Sequence, residues 1–471
     1  MATLGKKLGH LVLPRYMIRD DRKKADDFDT RGMYTTFIKI AWPALVESVL
    51  IGIISFVDSL MVSGCGEEAI AAVGITGQPR LLFYVVLLSI TTGVNSVVAR
   101  RRGEGNREGA NRTLMQTMPI VFCLAVIFFF IGLMIDEPLL RFAGAKDDTI
   151  GMAIPYYNIT MFGMIFTSIS LCINAAQRGC GKTNISMVTN IAANIVNVVF
   201  NALLINGYLG FPKLGVTGAA IATAMGNVTS AVIAILSLYR KDGYLRLNIR
   251  QMVGHKFETL PPVMKVFSGS ALEQVFLRIG FFLFAKMVAD LGTMEYATHQ
   301  ICMNVMNLSF TVGDGLGVAS ASLVGQHLGM KREDKSLVYG KVGQRIGLVL
   351  GVLLLVLFSL WGGGIVGWFS DDAQVIETGA ELMMVLAVVC PFQISQVIFS
   401  GCLRGAGDTR YMAVVSMISV AMIRPILTYV LIYTVGVGVI GAWVALFVDQ
   451  VSRFSFAAVR FYSQKWCKVK L

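Results

Sequence analysis

Charge is scarce in this chain. Asp, Glu, Lys and Arg make up only 15% of its 471 residues, hydrophobic residues make up 55%, and mean hydropathy is +0.66. So little charge cannot cover a water-facing surface, and the composition points to an all-α polytopic membrane protein. Histidine is equally sparse: His10, His255, His299 and His327 are dispersed, so no histidine-built metal centre is expected. The eight cysteines (Cys65, Cys123, Cys172, Cys180, Cys302, Cys390, Cys402 and Cys467) show neither metal-ligand spacing nor a disulfide framework. No nucleophile–base pair or phosphate-binding loop appears, and the longest internal loop is about 22 residues, so neither an enzyme nor a receptor with an ordered extramembrane domain is expected. No cofactor is expected either.

What is present in quantity is long apolar runs. A bilayer core about 30 Å thick needs roughly 20 apolar residues per helix. Twelve runs qualify, at about 38–63, 70–98, 113–135, 150–173, 185–207, 216–239, 262–289, 296–324, 343–368, 375–400, 411–434 and 438–460. The net charge of +12 sits in the short loops between them and forms no stripe suited to nucleic acid. Arg100, Arg101, Arg102, Arg107 and Arg112 follow span two; Arg240, Lys241, Arg246, Arg250 and Lys256 follow span six; Lys331, Arg332, Lys335 and Lys341 follow span eight. Odd-numbered spans are followed by acidic or nearly neutral loops, such as Glu67–Glu68 and Asp371–Asp372. Basic loops mark the cytoplasmic side, which places both termini inside a cell membrane. Residues 1–34 are basic with no apolar core, which reads as a cytoplasmic tail and not a cleaved signal peptide.

The stretch "AAQRGCGKTN" (175–184) returns as "GCLRGAGDTR" (401–410): Arg178, Gly179, Gly181 and Thr183 recur 226 residues later as Arg404, Gly405, Gly407 and Thr409. Lys39 and Lys265, Glu47 and Glu273, and Gly103 and Gly329 share that offset, and "GVTGA" (215–219) faces "GVIGA" (438–442) after a three-residue slip. Two internal repeats of six spans follow. Six is even, so both repeats run in the same sense, related by a pseudo-twofold axis along the membrane normal. The expected organisation is a tail (1–36), a first lobe (37–240), a linker (241–261), a second lobe (262–461) and a C-terminal tail (462–471). The glycines of the repeated motif suit a tight turn, Thr183 and Thr409 suit helix N-caps, and the motif reads as structural.

Each half's first-span approach, the "VGQHLG" of residues 324–329 and the paired "QRGCGKTN" and "LRGAGDTR" resemble the multidrug and toxic compound extrusion (MATE) family over all twelve spans. The resemblance implies a monomeric secondary-active exporter of small molecules, driven by inward proton or sodium flow through alternating access. A lipid-linked oligosaccharide flippase of the same wider group is the alternative; such proteins tend to have more helices and a basic cavity.

An ionisable side chain at a helix centre costs on the order of 2.5–3.5 kcal/mol, so each one needs a partner or a use. Span one carries Pro43, Glu47 and Asp58; span five carries Asn190, Asn194, Asn197 and Asn201 on one face; span six carries Thr223. At about 1.5 Å per residue, Asp58, Asn197, Asn201 and Thr223 reach one level in the outer half of the membrane, a candidate cation or proton site. Asparagine is also suited to joining helices by hydrogen bonds. Glu47, Glu273, Asn190 and Asn194 are candidates for a substrate cavity suited to cationic or amphipathic compounds, Pro43 for a hinge, and Arg424 with Asp449 for a structural ion pair. The resemblance adds that the DNA-damage-inducible branch has a span-one aspartate fifteen residues after a proline, which Pro43 and Asp58 match. Its span-five asparagine and aspartate four apart are here Asn197 and Asn201, so the second carboxylate is missing. The acids of another branch on spans seven and ten are unmatched, because Glu377 and Glu381 sit at the outer end of span ten.

Overall fold

The computed structural model describes residues 17, 28–63, 66–240, 243–248, 250–253 and 258–471. Most of the expected tail and part of the expected linker, with Cys65, His10 and His255, lie outside the described residues. Among those described there are helices and no strands.

The long helices follow the apolar runs. They are span one (Thr30–Ser63), two (Glu67–Gly103), three (Arg107–Met134), four (Asp147–Gly179), five (Thr183–Asn206), six (Gly215–Ser237), seven (Leu260–Ala289), eight (Thr293–Gly329), nine (Glu333–Gly367), ten (Ala373–Gly405), eleven (Thr409–Thr434) and twelve (Gly438–Ser463). Among the described residues eleven are long and apolar enough to cross a membrane. Span seven, which carries Lys265, Glu273, Arg278 and Lys286, is not one of them, so the expected count of twelve stands at eleven by this measure. Several starts are fixed locally. Asn106 caps span three by accepting from the Gly109 N–H at 2.7 Å, and Asp372 caps span ten by accepting from Gln374 N–H at 2.8 Å. Span eleven widens to π-helix at Met417–Ile423, just before Arg424 and Pro425, and again at Val430–Thr434. Proline has no N–H to return to the preceding turn, which favours such a wide turn.

The chain forms two compact units, one of residues 46–267 and one of residues 1–45 with 268–471. The chain passes between them within span one, two residues past Pro43, and within span seven. In the first unit Leu87, Leu114, Tyr157 and Ile173 form a fully buried core, joined by Val263 from the start of span seven. In the second, Phe37 of span one is fully buried with Leu337, Val338, Ile398 and Phe461. Glycine permits the closest approaches: a Cβ on Gly405 would collide with the Ala321 backbone, and one on Gly179 would lie 2.7 Å from the Asn95 carbonyl oxygen. Large apolar side chains such as Leu353, Leu360 and Trp361 of span nine stay exposed. On a surface lying in lipid they are at home.

Candidate functional site

Within the unit of residues 46–267, spans one, five and six converge on Asp58. Asn201 donates to Asp58 Oδ1 at 2.7 Å and to Asn197 Oδ1 at 3.3 Å. Asn197 and Asn201 are one turn apart on the same face of span five, which is why both reach one carboxylate. Asn197 donates to Thr223 Oγ1 at 3.2 Å, and the Thr223 hydroxyl donates to the Ala219 carbonyl at 3.0 Å. The four expected residues are therefore one network. Both asparagines are buried, while Asp58 is half-buried.

The chemistry of this network depends on which way the Asn197 amide points. As described, its oxygen faces Asp58, an arrangement that a protonated carboxyl satisfies by donating its hydrogen. Turned over, the amide nitrogen donates to Asp58 Oδ1 at 2.8 Å and Oδ2 at 3.2 Å, and the oxygen accepts from the Thr223 hydroxyl at 3.2 Å. An ionised carboxylate, which only accepts, requires that second orientation. The Asn201 Oδ1 is buried without a hydrogen-bond partner. With the Asp58 carboxylate it offers clustered oxygens of the kind a hard monovalent cation takes. Asp58 has no ion-pair partner among the described residues, so its charge is met by neutral amides alone.

The rest of the asparagine stripe belongs elsewhere. Asn190 donates to Glu47 Oε1 at 2.5 Å, Ser186 donates to the same oxygen at 3.0 Å, and Arg178 lies 3.5 Å from it. In the second unit Arg404 grips Glu273 with two bonds, Nη2 to Oε1 at 2.7 Å and Nε to Oε2 at 3.3 Å. Glu47 and Glu273, expected as open cavity acids, are thus buried and each is held by the arginine of the repeated motif. Asn194 is half-buried and takes no part in these contacts. Glu377 and Glu381 are exposed.

The repeated motif resolves into four jobs. Its arginine pairs with the glutamate of the unit's own helical bundle, its first glycine (Gly179, Gly405) packs on the neighbouring span, and its second glycine turns the chain at φ +76° (Gly181) and +85° (Gly407). Thr183 and Thr409 open the next helix as its first residues, and the cap positions fall to Lys182 and Asp408. The expected threonine caps are therefore displaced by one position.

Two features were not singled out from the sequence. Arg80 of span two is half-buried. Its signal was a single basic residue in the middle of an apolar run. In the second unit Arg424 pairs with Asp449, as expected, but Arg453 joins at 3.2 Å, and the Arg424 guanidinium lies 4.4 Å from the Phe281 ring centre. All three charged groups are buried, and the buried pair reads as a structural device. No group of three His, Cys, Asp or Glu side chains suited to a metal occurs among the described residues.

Long apolar helices in two repeats, each with internally paired charges and one with a membrane carboxylate that has no ion-pair partner among the described residues, are the architecture of a membrane transporter. The MatE family model matches the chain twice, over residues 43–203 and 270–430, and the protein belongs to that family. It is similar to the probable multidrug resistance protein NorM of Thermotoga maritima, 26% identical over 92% of each chain, and to the uncharacterized transporter YisQ of Bacillus subtilis, 24% identical over 92% of this chain and 94% of that one. Its fold is that of a multidrug resistance MATE family transporter solved in an outward-facing conformation, with a TM-score of 0.85 at 20% identity over 92% of this chain and 97% of the other. A transporter of Pyrococcus furiosus whose binding pocket is described as reversed in polarity matches equally well, at a TM-score of 0.85.

Proposed function

We propose that the protein is a secondary-active multidrug exporter of a cell membrane, with both termini inside, which exchanges protons or sodium for small cationic or amphipathic organic compounds. The observation that carries the coupling is Asp58: a membrane carboxylate whose hydrogen-bond partners among the described residues are neutral, with a further amide oxygen beside it. A proton or one monovalent cation neutralises it, and among the described residues no ion pair competes for the place. The names of the curated relatives support drug efflux as the transported flux.

Protonation and ionisation of Asp58 demand opposite orientations of the Asn197 amide. Ion binding therefore reverses the donor and acceptor roles in the hydrogen bonds that join spans one, five and six. Pro43 supplies a point at which span one can bend, because it lacks a backbone donor. It acts as the hinge through which the change at Asp58 reaches the rest of span one. The protein works as a monomer.

The test is efflux from proteoliposomes loaded with a cationic dye, with a proton or a sodium gradient imposed separately. Wild type is expected to respond to one of them and Asp58→Asn to neither. Undiminished gradient-driven efflux by Asp58→Asn would overturn the reading.

A further inference from the structure

The 226-residue offset that relates the two halves also carries the Asp58 network into the second unit. Asp58 falls on Phe284 of span seven. Asn197 and Asn201 fall one residue short of Arg424 and Thr428 of span eleven. The π-helical stretch Met417–Ile423 accounts for that step, because a wide turn takes one residue more than an α turn. Past the three-residue slip, Gly226 of span six falls on Asp449 of span twelve. Contacts inside each unit agree with this register. A Cβ on Gly226 would lie 3.3 Å from the Asn197 Cβ, and its counterpart Asp449 accepts from Arg424 Nε at 3.1 Å. Span five meets span one where Asn201 donates to Asp58, and span eleven meets span seven where the Arg424 guanidinium lies 5.4 Å from the Phe284 ring centre.

The two places differ in charge. In the first unit a carboxylate and the unpartnered Asn201 Oδ1 present oxygens alone. In the second the carboxylate is on span twelve, and the rings of Phe281 and Phe284 lie beside a guanidinium, whose charge a ring face attracts. Arg453 brings a second guanidinium to the same Asp449 Oδ2 at 3.2 Å, so these three buried groups carry one more positive charge than negative. Glu273 does not offset it, since Arg404 already grips that carboxylate. The unpartnered atoms here are donors (Arg424 Nη1, Arg453 Nε) as well as acceptors (Asp449 Oδ1, Gln450 Oε1, Thr428 Oγ1). Such a set repels a free cation where the first unit attracts one.

We propose that the second unit holds a closed counterpart of the ion site, in which the Arg424 guanidinium is a resident cation standing where the coupling ion stands in the first. Proton or sodium exchange is thereby confined to the first unit, one ion for each cycle. The inference rests on the coupling reading of Asp58, and adds to it the number of ions and the unit that exchanges none.

The test counts the ions that a cationic dye displaces. The purified full chain is saturated with dye, bound dye is followed by its fluorescence, and released protons or sodium are measured for wild type and Asp58→Asn. Wild type is expected to release one ion per chain and Asp58→Asn none. Two ions from wild type with one kept by Asp58→Asn would overturn this inference and leave coupling at Asp58 standing; equal release by both would overturn the two together. No release by wild type would overturn the coupling alone, and a second measurement then decides the resident cation. Arg424→Ala is expected to lose thermal midpoint, which guanidinium at sub-denaturing concentration restores and sodium at the same concentration does not. Arg424→Lys, which keeps the charge, is expected to lose less. Restoration by sodium as full as by guanidinium would make the place an open ion site, and restoration by neither would make it no cation site; both results overturn the inference.

Discussion

At the scale of single residues, the consequences are set by whether a charge keeps its partner. Arg178→Ala leaves the buried Glu47 with only Ser186 and Asn190, and Arg404→Ala strips Glu273 of both its bonds. Breaking one side of a buried pair costs about 3–5 kcal/mol, whereas removing both sides costs much less. Arg404→Ala is therefore expected to lower the unfolding midpoint in detergent far more than Arg404→Ala with Glu273→Gln. A double-mutant cycle reads the coupling, and additive losses would contradict the pairing. For Asp58 the readout is ionic: Asn201→Ala removes the 2.7 Å donor and the free amide oxygen together. A hydrogen bond to a charged group is worth about 1.5–3 kcal/mol. The coupling-ion concentration for half-maximal efflux is then expected to shift by about tenfold or more, with Asn194→Ala leaving it in place. The convergence of Asp58, Asn197, Asn201 and Thr223 was legible in the sequence because helical rise and a four-residue spacing fix depth and face. The partners of Glu47 and Glu273 were not, since an ion pair 131 residues apart in sequence has no local signature. The repeat carried the clue unused: both glutamates and both arginines recur at one offset.

At the scale of the helix, small residues decide how near two spans come. Gly405→Ala forces a methyl group into the Ala321 backbone, so span ten must move off span eight. Gly181→Ala tests a different property of the same motif, the positive φ, at about 1–2 kcal/mol. The expected order of loss in thermal midpoint is Gly405→Ala beyond Gly181→Ala, measured on purified protein. A reversed order would mean that turn geometry outweighs packing. Helix existence and approximate ends were readable from apolar runs and flanking arginines. The π-helical stretches of span eleven were not, because Pro425 marks a site of strain without saying how many residues absorb it. Span seven shows the opposite limit: its four charged residues dilute the apolar signal of a helix that is fully formed.

At the scale of the molecule, the repeat halves and the compact units do not coincide, because spans one and seven each change unit partway. Phe37 has its buried contacts in the unit of residues 268–471, where its ring fills the space beside Gly343 and Ser320. Phe37→Ala leaves a cavity there. Hydrogen exchange is expected to quicken in spans eight and nine and to stay unchanged in spans two to six. Faster exchange confined to spans two to six would contradict the assignment.

The same division has a consequence in time. Residues 46–267 are continuous in the chain, so the ribosome has delivered every part of that unit once Phe267 is made. The other unit receives one piece, up to Leu45, before that unit and the rest, from Ser268, after it. During most of synthesis the opening of span one is held in the membrane by insertion alone, and it acquires a core only when the closing spans arrive.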